Sequence, residues 1–172
     1  PKPMIEVGGK PILWHIMKYY SSFGLTRFIL ALGYKAEYIK QYFYNYKITN
    51  SDFTINLQPD TPPTFYNTSD EKNWEITFID TGLNTLKGGR IKRIAKYLKS
   101  DNFHLTYGDG VADVNLNELT KFHHDHNKIA SVTAVRPPSR FGEMIIEGND
   151  VSAFDEKSQM HSGYINGGFF IL

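Results

Sequence analysis

Cysteine is missing from all 172 residues, and this absence excludes a disulfide framework, a cysteine-ligated zinc or iron–sulfur centre and a cysteine nucleophile. An excess of charge of one sign is missing too, because 19 Lys and Arg stand against 18 Asp and Glu, a net charge of +1. Nucleic-acid-binding domains are usually clearly basic, so we expect no nucleic-acid partner. Apolar runs such as 28–32 fall far short of the ~20 residues of a membrane span, so we expect no membrane partner either.

The length and the two ends indicate what kind of chain this is. A sequence of 172 residues suits one globular domain, which buries about 70% of its unfolded surface. The chain opens at Pro1 and stops inside the apolar run 169–172, so we expect a single domain over residues 1–172, truncated at both ends. The sequence also lacks a charged segment followed by an apolar run, which is the pattern of a secretory signal. Together with the lack of cysteine, this predicts a cytoplasmic location.

Strand and helix patterns alternate along most of the chain. Apolar residues at helical spacing, behind Pro11 and before Gly24, predict the first helix. Further helices are predicted at 36–46, 91–98 and 116–122, strands at 27–32, 52–57, 74–80, 102–107 and 129–135, an excursion loop at 58–73, and a hairpin with strands 143–146 and 151–155. This order calls for parallel strands joined by right-handed crossovers. The predicted class is therefore α/β, a layered and mostly parallel sheet with a late β-hairpin at one edge.

A glycine-rich loop at 80–90 joins a predicted strand end to a predicted helix start, the place where open α/β sheets bind ligands. Lys87 and Arg90 lie at the helix N-terminus, where the macrodipole disfavours a cation by ~0.3–1 kcal/mol unless an anion is bound there. Gly88 and Gly89 would let free backbone N–H groups approach a phosphate. The alternative is a glycine turn that opens a solvated basic face. This face would continue through Lys92, Arg93, Lys96 and Lys99.

A second candidate site follows the strand predicted at 102–107. Asp109 stands between Gly108 and Gly110, so no neighbouring side chain crowds its carboxylate. That setting suits a magnesium ion, which takes one or two protein carboxylates and fills its other positions with water and phosphate oxygens. A plain Asp-Gly turn explains the same residues, and both interpretations stay open.

Two further polar residues lie in constrained backbone. Lys2 is held between two prolines, and a lysine presented in this way is a point charge for a phosphate or simply a surface lysine. Asn166 precedes two glycines, where an amide beside accessible backbone can hydrogen-bond sugar hydroxyls. A bulge or turn within a strand explains the Asn-Gly-Gly sequence as well.

Three histidines near one predicted helix end, His123, His124 and His126, invite a metal site. No carboxylate or cysteine lies at a metal-ligand spacing from them, so we expect a solvated helix end instead. The sequence also has no Ser/His/Asp arrangement at a nucleophile spacing.

Six motifs, taken together and in order, resemble the sugar-1-phosphate nucleotidyltransferase family. They are KPM at 2–4, GGKPIL at 8–13, DTG with GGR in 80–90, TYGDGVAD at 106–113, PPSRFG at 137–142 and INGGFF at 165–170. The resemblance covers almost the whole chain and is nearest to the branch that transfers cytidylyl groups. It implies a Rossmann-like fold that binds the small molecules CTP and glucose 1-phosphate and converts them into CDP-glucose and pyrophosphate.

The resemblance also implies roles for residues at matching positions. The family's phosphate and nucleotide contacts match Lys2, Thr85, Arg90 and Gly108. Its magnesium ligand matches Asp109, so Mg2+ is the implied cofactor. Its sugar-phosphate positions match Glu156, Lys157, Asn166 and Gly167. Lys2, Arg90 and Asp109 are the implied catalytic groups, and supply of nucleotide sugars for bacterial surface polysaccharides such as O-antigen, by a homo-oligomer, is the implied setting.

Some features of that family have no match here. Its Gly-rich loop around the triphosphate and its second metal-binding aspartate have no counterpart in residues 1–172, so we expect these residues alone to be inactive. Lys87 stands where the family often has threonine, and Ser158 stands where it usually has proline. Two alternatives stay open: the same chemistry with UTP, dTTP or another sugar phosphate, and a catalytically silent homologue that binds sugar nucleotide.

Overall fold

A computed structural model describes residues 1–66, 70–126, 128–136, 143–155 and 164–172. These residues form two compact units. The first unit comprises Pro1–Asp101 and Gly108–Asp113, and the second unit comprises Asn102–Tyr107 and Val114–Leu172. None of the helices in these ranges is long and apolar enough to cross a membrane.

The elements of the first unit follow one another closely along the chain. They are a 3-10 turn at Lys2–Met4, β1 (Glu6–Val7), β2 (Lys10–Pro11), α1 (Ile12–Ser22), β3 (Arg27–Leu32), α2 (Ala36–Tyr44), α3 (Tyr46–Thr49), β4 (Phe53–Thr54), β5 (Thr64–Phe65), a 3-10 turn at Asp70–Asn73, β6 (Glu75–Asp80), α4 (Lys87–Ile94) and a 3-10 turn at Ala95–Tyr97. The second unit contains β7 (His104–Thr106), α5 (Leu116–His126), β8 (Ser131–Val135), β9 (Glu143–Glu147), β10 (Asp150–Asp155) and β11 (Ile165–Ile171).

The first unit is built on a parallel pair of strands. β3 and β6 pair residue for residue, from Arg27 opposite Glu75 to Leu32 opposite Asp80. Parallel strands need a crossover connection, so this pair confirms the predicted α/β class. The core of the unit consists of residues from α1, β3 and α2, namely Leu13, Met17, Leu32 and Ile39. The apolar residues that recur at helical spacing in α1 therefore face the core, as the sequence predicted.

The segment between α3 and β6 departs from its prediction. Of the strand predicted at 52–57, only Phe53 and Thr54 pair with another strand, and their partners Phe65 and Thr64 lie in the predicted loop. Ile55 and Leu57 are exposed, so the apolar residues that suggested a longer strand cover no sheet face. The result is a short hairpin inside the excursion rather than a strand of the main sheet.

A buried carboxylate fastens the end of this excursion to α1 and α3. Glu71 accepts hydrogen bonds from Lys18 Nζ at 2.9 Å and from the Tyr46 hydroxyl at 3.2 Å, and Trp14 Nε1 donates to the same hydroxyl at 2.8 Å. Burial by itself would raise the pKa of Glu71, but the hydrogen bonds to its carboxylate from Lys18, the backbone and Tyr46, together with the charge of Lys18, outweigh burial and lower that pKa. Glu71 is therefore an ionised anchor for the segment that leads into β6.

The second unit contains a three-stranded sheet in the order β7-β11-β8. β11 is antiparallel to both neighbours, so β7 and β8, which α5 connects, run in the same direction on either side of it. The apolar residues Phe169 and Ile171 of β11 are buried, as is Leu116 at the start of α5. β9 and β10 form an antiparallel pair, which confirms the predicted late hairpin.

The prediction of a solvated helix end was wrong for His123. The side chain is buried, and its Nδ1 lies 2.9 Å from the Ser131 hydroxyl on β8. His126 Nε2 lies 2.7 Å from the same hydroxyl, while His126 Nδ1 accepts the backbone N–H of Lys128. Since Nδ1 of His126 is an acceptor, its Nε2 donates to Ser131, and the Ser131 proton is available to Nδ1 of His123. Burial lowers the pKa of His123, and the charges of His126 and His124 act in the same direction.

We expect this cluster to make folding sensitive to pH. A folded-state pKa below the ordinary 6.5 means that unfolding takes up a proton, so stability is full above that value and falls as the pH is lowered through it. The thermal midpoint should fall between about pH 7.5 and about pH 5.5, and it should fall less in His123→Leu, which has lost the titrating group. His124→Leu, at an exposed neighbour, should keep most of the original pH dependence, because burial is the largest cause of the lowered pKa of His123. Identical pH profiles for both variants would contradict the assignment.

Candidate functional site

The connection from β6 to α4 begins with a threonine that has no exposed surface. Thr81 donates its backbone N–H to Leu32 O at 2.9 Å and its hydroxyl to the same oxygen at 2.7 Å. These two bonds extend the parallel pair one residue past the end of β6. Gly82 then turns the chain away with a φ of +87°, and its N–H donates to the Asp80 carboxylate at 2.9 Å.

Arg90 ties this loop back to the end of β3. Its Nη1 donates to Leu32 O at 2.9 Å and to the Thr81 hydroxyl oxygen at 2.5 Å, and its Nη2 donates to Leu83 O at 3.2 Å. A guanidinium has five N–H donors. The Nε donor and one Nη2 donor of Arg90 have no acceptor among the described residues. Arg90 therefore organises the loop and still has donors for a ligand.

Arg93, one turn further along α4, holds the other side of the same loop. Its Nη1 donates to Thr81 O and, at 2.6 Å, to the Thr85 hydroxyl oxygen. From the sequence, Arg93 was assigned only to a solvated basic face, and this contact was missed. The signal was its spacing, because residues three apart on a helix share a face and Arg90 already pointed to this loop.

The glycines of the loop have different surroundings. A Cβ built on Gly89 would lie 2.9 Å from the Thr85 methyl carbon, whereas one built on Gly88 meets no atom within 4 Å. The first turn of α4 has no side-chain cap, because Leu86 occupies the cap position. Backbone N–H groups at this uncapped, open turn are suited to an anion, and the phosphate contact stays a prediction.

Lys2 and Asp109 are carried by neighbouring segments of the first unit. A Cβ built on Gly108 would lie 3.3 Å from Pro3 Cγ, so the turn that carries Lys2 packs against the backbone just before Asp109. Both side chains are exposed, and Asp109 forms no hydrogen bond or ion pair with the described residues. Gly110 also borders open space. A lone accessible carboxylate fits magnesium, although the described residues contain no group of three or more metal-ligand side chains.

Asn166 and Gly167 belong to the second unit, where β11 bulges. The pairing of β11 with β8 shifts between Asn166 and Phe170. The Asn166 side chain holds this bulge, because its oxygen accepts the N–H of Gly168 at 2.8 Å and its nitrogen donates to the Tyr107 hydroxyl at 2.9 Å. A Cβ on Gly167 would lie 3.0 Å from Thr133 O, so glycine permits the close approach to β8. Glu156 and Lys157, the other predicted sugar-side residues, lie outside the described residues.

The fold agrees with what comparison with known proteins shows. The profile of the nucleotidyl transferase family matches residues 1–172, so the chain belongs to that family. The solved structure of HddC from Yersinia pseudotuberculosis complexed with GMP-PN superposes with a TM-score of 0.64 at 26% identity, over 100% of this chain and 67% of that one. Apo-UDP-glucose pyrophosphorylase superposes with a TM-score of 0.56 at 15% identity, which shows the fold alone. The Rossmann-like nucleotidyltransferase fold is thus confirmed.

Among particular proteins, the chain is similar to glucose-1-phosphate cytidylyltransferases. It is 46% identical to that of Salmonella typhi and 42% identical to the probable enzyme of Bacillus subtilis, over its full length in both cases. It is 30% identical to the D-glycero-alpha-D-manno-heptose 1-phosphate guanylyltransferase of Aneurinibacillus thermoaerophilus. The chain spans 66% of the length of each of the two cytidylyltransferase relatives.

Gly33 gives a direct test of the Arg90 contacts. A Cβ on Gly33 would lie 2.8 Å from both terminal nitrogens of Arg90 and 3.1 Å from Gly82 O. Gly33→Ala should therefore displace the guanidinium and lower the free energy of unfolding by about 1–3 kcal/mol. Gly88→Ala is the matched control, because its methyl group enters open space and alanine favours a helix, so it should be neutral or stabilising. Denaturant unfolding measures both, and equal stabilities would rule out the crowding at Gly33.

Proposed function

We propose that this protein transfers a cytidylyl group from CTP to glucose 1-phosphate, with CDP-glucose and pyrophosphate as products. The observation that carries the proposal is the β6–α4 loop, where Arg90 keeps free donors beside a helix start that has no side-chain cap and where Gly88 borders open space. This loop belongs to a chain that is 46% identical to the Salmonella typhi glucose-1-phosphate cytidylyltransferase. Residues 1–172 act as one nucleotidyltransferase domain in this proposal, and its product feeds the synthesis of surface polysaccharide by a homo-oligomeric enzyme.

The reaction is an in-line displacement at phosphorus. A phosphate oxygen of glucose 1-phosphate attacks the α-phosphorus of CTP, the new P–O bond forms, and the bond to the bridging oxygen of the β-phosphate breaks to release pyrophosphate. No covalent bond to the protein is needed, so the protein contributes position and charge. Lys2, the free donors of Arg90 and the first turn of α4 supply the positive charge, while Thr85 and Gly108 line the nucleotide pocket.

Asp109 is the proposed ligand for magnesium. Its side chain is exposed, the preceding Gly108 packs against Pro3 of the Lys2 turn, and a Cβ on Gly110 would meet no atom within 4 Å. A magnesium ion held by this carboxylate would neutralise phosphate charge and lower the barrier to displacement. The residues of this chain provide the anchoring carboxylate and the positive charge of Lys2.

Asn166 and Gly167 are proposed contacts of the sugar phosphate. Asn166 is exposed and retains one N–H donor after its bond to Tyr107. Glu156 and Lys157, which lie outside the described residues, are the other sugar-phosphate contacts in this proposal. A guanylyl transfer is the second candidate, favoured by the 30% identity to the Aneurinibacillus thermoaerophilus guanylyltransferase.

Turnover with a panel of nucleotides tests the proposed function. The protein, purified as its gene encodes it, is incubated with glucose 1-phosphate, Mg2+ and one of CTP, UTP, dTTP or GTP, and release of pyrophosphate is measured. We expect kcat/KM with CTP to exceed the other values by at least about 10-fold, the discrimination of one well-placed hydrogen bond to the base. A preference for GTP would favour guanylyl transfer over cytidylyl transfer. No turnover with any nucleotide would favour a protein that binds sugar nucleotide without catalysis.

Asp109→Asn should lower turnover with CTP by at least ~10²-fold, because loss of a major electrostatic group costs about 2.7 kcal/mol or more in the transition state. The variant keeps the size and shape of the side chain, so folding should be unaffected. Magnesium dependence is measured alongside turnover. Near-normal turnover with an unchanged magnesium dependence would make Asp109 a simple turn residue.

Arg90→Ala and Lys96→Ala separate a phosphate contact from a basic surface. Arg90 lies in the first turn of α4, whereas Lys96 follows the helix and lies beside the Tyr97 ring. Arg90→Ala should weaken CTP binding by ~10-fold or more, as expected for a lost charged hydrogen bond, and Lys96→Ala should change it by less than about 2-fold. Titrations are run at one salt concentration because screening imitates a loss of charge. Equal small effects would remove the phosphate role from Arg90.

A further inference from the structure

The contact between Arg93 and Thr85 has a consequence for the direction of a hydrogen bond. Arg93 Nη1 lies 2.6 Å from the Thr85 hydroxyl oxygen, and a guanidinium can only donate. The Thr85 oxygen is therefore the acceptor in this pair. Its own hydrogen is then left to donate elsewhere, and no acceptor for it lies among the described residues.

Thr81, four residues earlier, shows the opposite arrangement. Its hydroxyl oxygen accepts a hydrogen bond from Arg90 at 2.5 Å, and its hydroxyl donates one to Leu32 O at 2.7 Å. Both the donor and the acceptor role of Thr81 are therefore used within the protein. Two threonines of one loop are thus each bound by an arginine of α4. Only Thr85 keeps a donor that the described protein does not use.

The Thr85 side chain fills the space that glycines at positions 82 and 89 leave open. A Cβ on Gly82 would lie 2.8 Å from the Thr85 hydroxyl oxygen and 2.7 Å from Arg93 Nη1, and a Cβ on Gly89 would lie 2.9 Å from the Thr85 methyl carbon. Any side chain at either position would collide with Thr85. The hydroxyl therefore has a defined place between the loop and α4, as well as a defined acceptor role toward Arg93.

We propose that Arg93 is a positioning residue that makes the Thr85 hydroxyl an obligate donor to an oxygen of the bound nucleotide. This inference rests on the proposed function, in which Thr85 contacts the nucleotide, and it adds the reason why that contact has one direction. Without Arg93, the Thr85 hydroxyl oxygen loses its donor, and nothing then fixes the direction of its own proton. Arg93 thus acts on the nucleotide only through Thr85.

A double-mutant cycle on the protein as its gene encodes it tests this coupling. Arg93→Met removes the guanidinium donors and keeps the aliphatic stem, and Thr85→Val removes the hydroxyl and keeps the shape. Each should weaken CTP binding by ~10-fold in calorimetric titration with kcat nearly unchanged, because the lost contact serves ground state and transition state alike. The double variant should be no weaker than the weaker single variant, since both remove the same bond.

Two further variants complete the test. Thr85→Ser keeps the hydroxyl and should bind CTP within about 2-fold of the original protein. Lys92→Ala, beside Arg93 on α4 but outside these contacts, should be unchanged. If Arg93→Met does not fold, the comparison of Thr85→Val with Thr85→Ser still reports whether the hydroxyl donates to the nucleotide.

The outcomes separate this inference from the proposed function. Additive losses in the double variant would mean that Arg93 only stabilises the loop, and normal CTP binding in Thr85→Val would mean that its hydroxyl does not reach the nucleotide. Either result overturns the role of Arg93 while CTP turnover by the unaltered protein stands. Absence of CTP binding by the unaltered protein would overturn the proposed function, and with it this inference.

Discussion

The carbonyl oxygen of Leu32, at the end of β3, accepts the backbone N–H of Thr81, the Thr81 hydroxyl and the Arg90 guanidinium. Three donors on one oxygen hold the end of β3, the end of β6 and the first turn of α4 at one point. The path of the loop, the requirement for glycine at position 33 and the direction of α4 all follow from these bonds. Any ligand bound at this edge of the parallel pair meets a surface whose shape that oxygen fixes.

The positive charge of Arg90 is already stabilised by the protein before any ligand binds. A cation at a helix N-terminus is unfavourable unless negative charge meets it. The carbonyl oxygens of Leu32 and Leu83 and the Thr81 hydroxyl meet the charge of Arg90, so an anion is not required to keep it there. The donors that remain free are fixed in place in advance, which reduces the cost of ordering them when a phosphate binds.

For the Asn-Gly-Gly sequence at 166–168, the structural interpretation does not exclude the functional one. Asn166 stabilises the bulge of β11 through Gly168 and Tyr107, so the bulge predicted as the plain alternative does exist. In the same bulge, Asn166 is exposed and Gly167 is partly exposed. His123 shows the reverse case, because a residue expected in solvent is buried and completes a hydrogen-bonded cluster with Ser131. Its surroundings were decided by Ser131 on β8, eight residues further along the chain.

The sequence by itself determined the α/β class, α1, the parallel strands β3 and β6, the late hairpin and the family, because apolar periodicity and ordered motifs are local properties of the chain. It also identified the loop at 80–90. Only the tertiary structure decided that β11 lies between β7 and β8, that residues 52–57 form no long strand, and which oxygen atoms Arg93 reaches from the helix face that its spacing indicated. Those outcomes depend on which distant backbone oxygen or sheet face lies within reach of a side chain, and no local pattern encodes that distance.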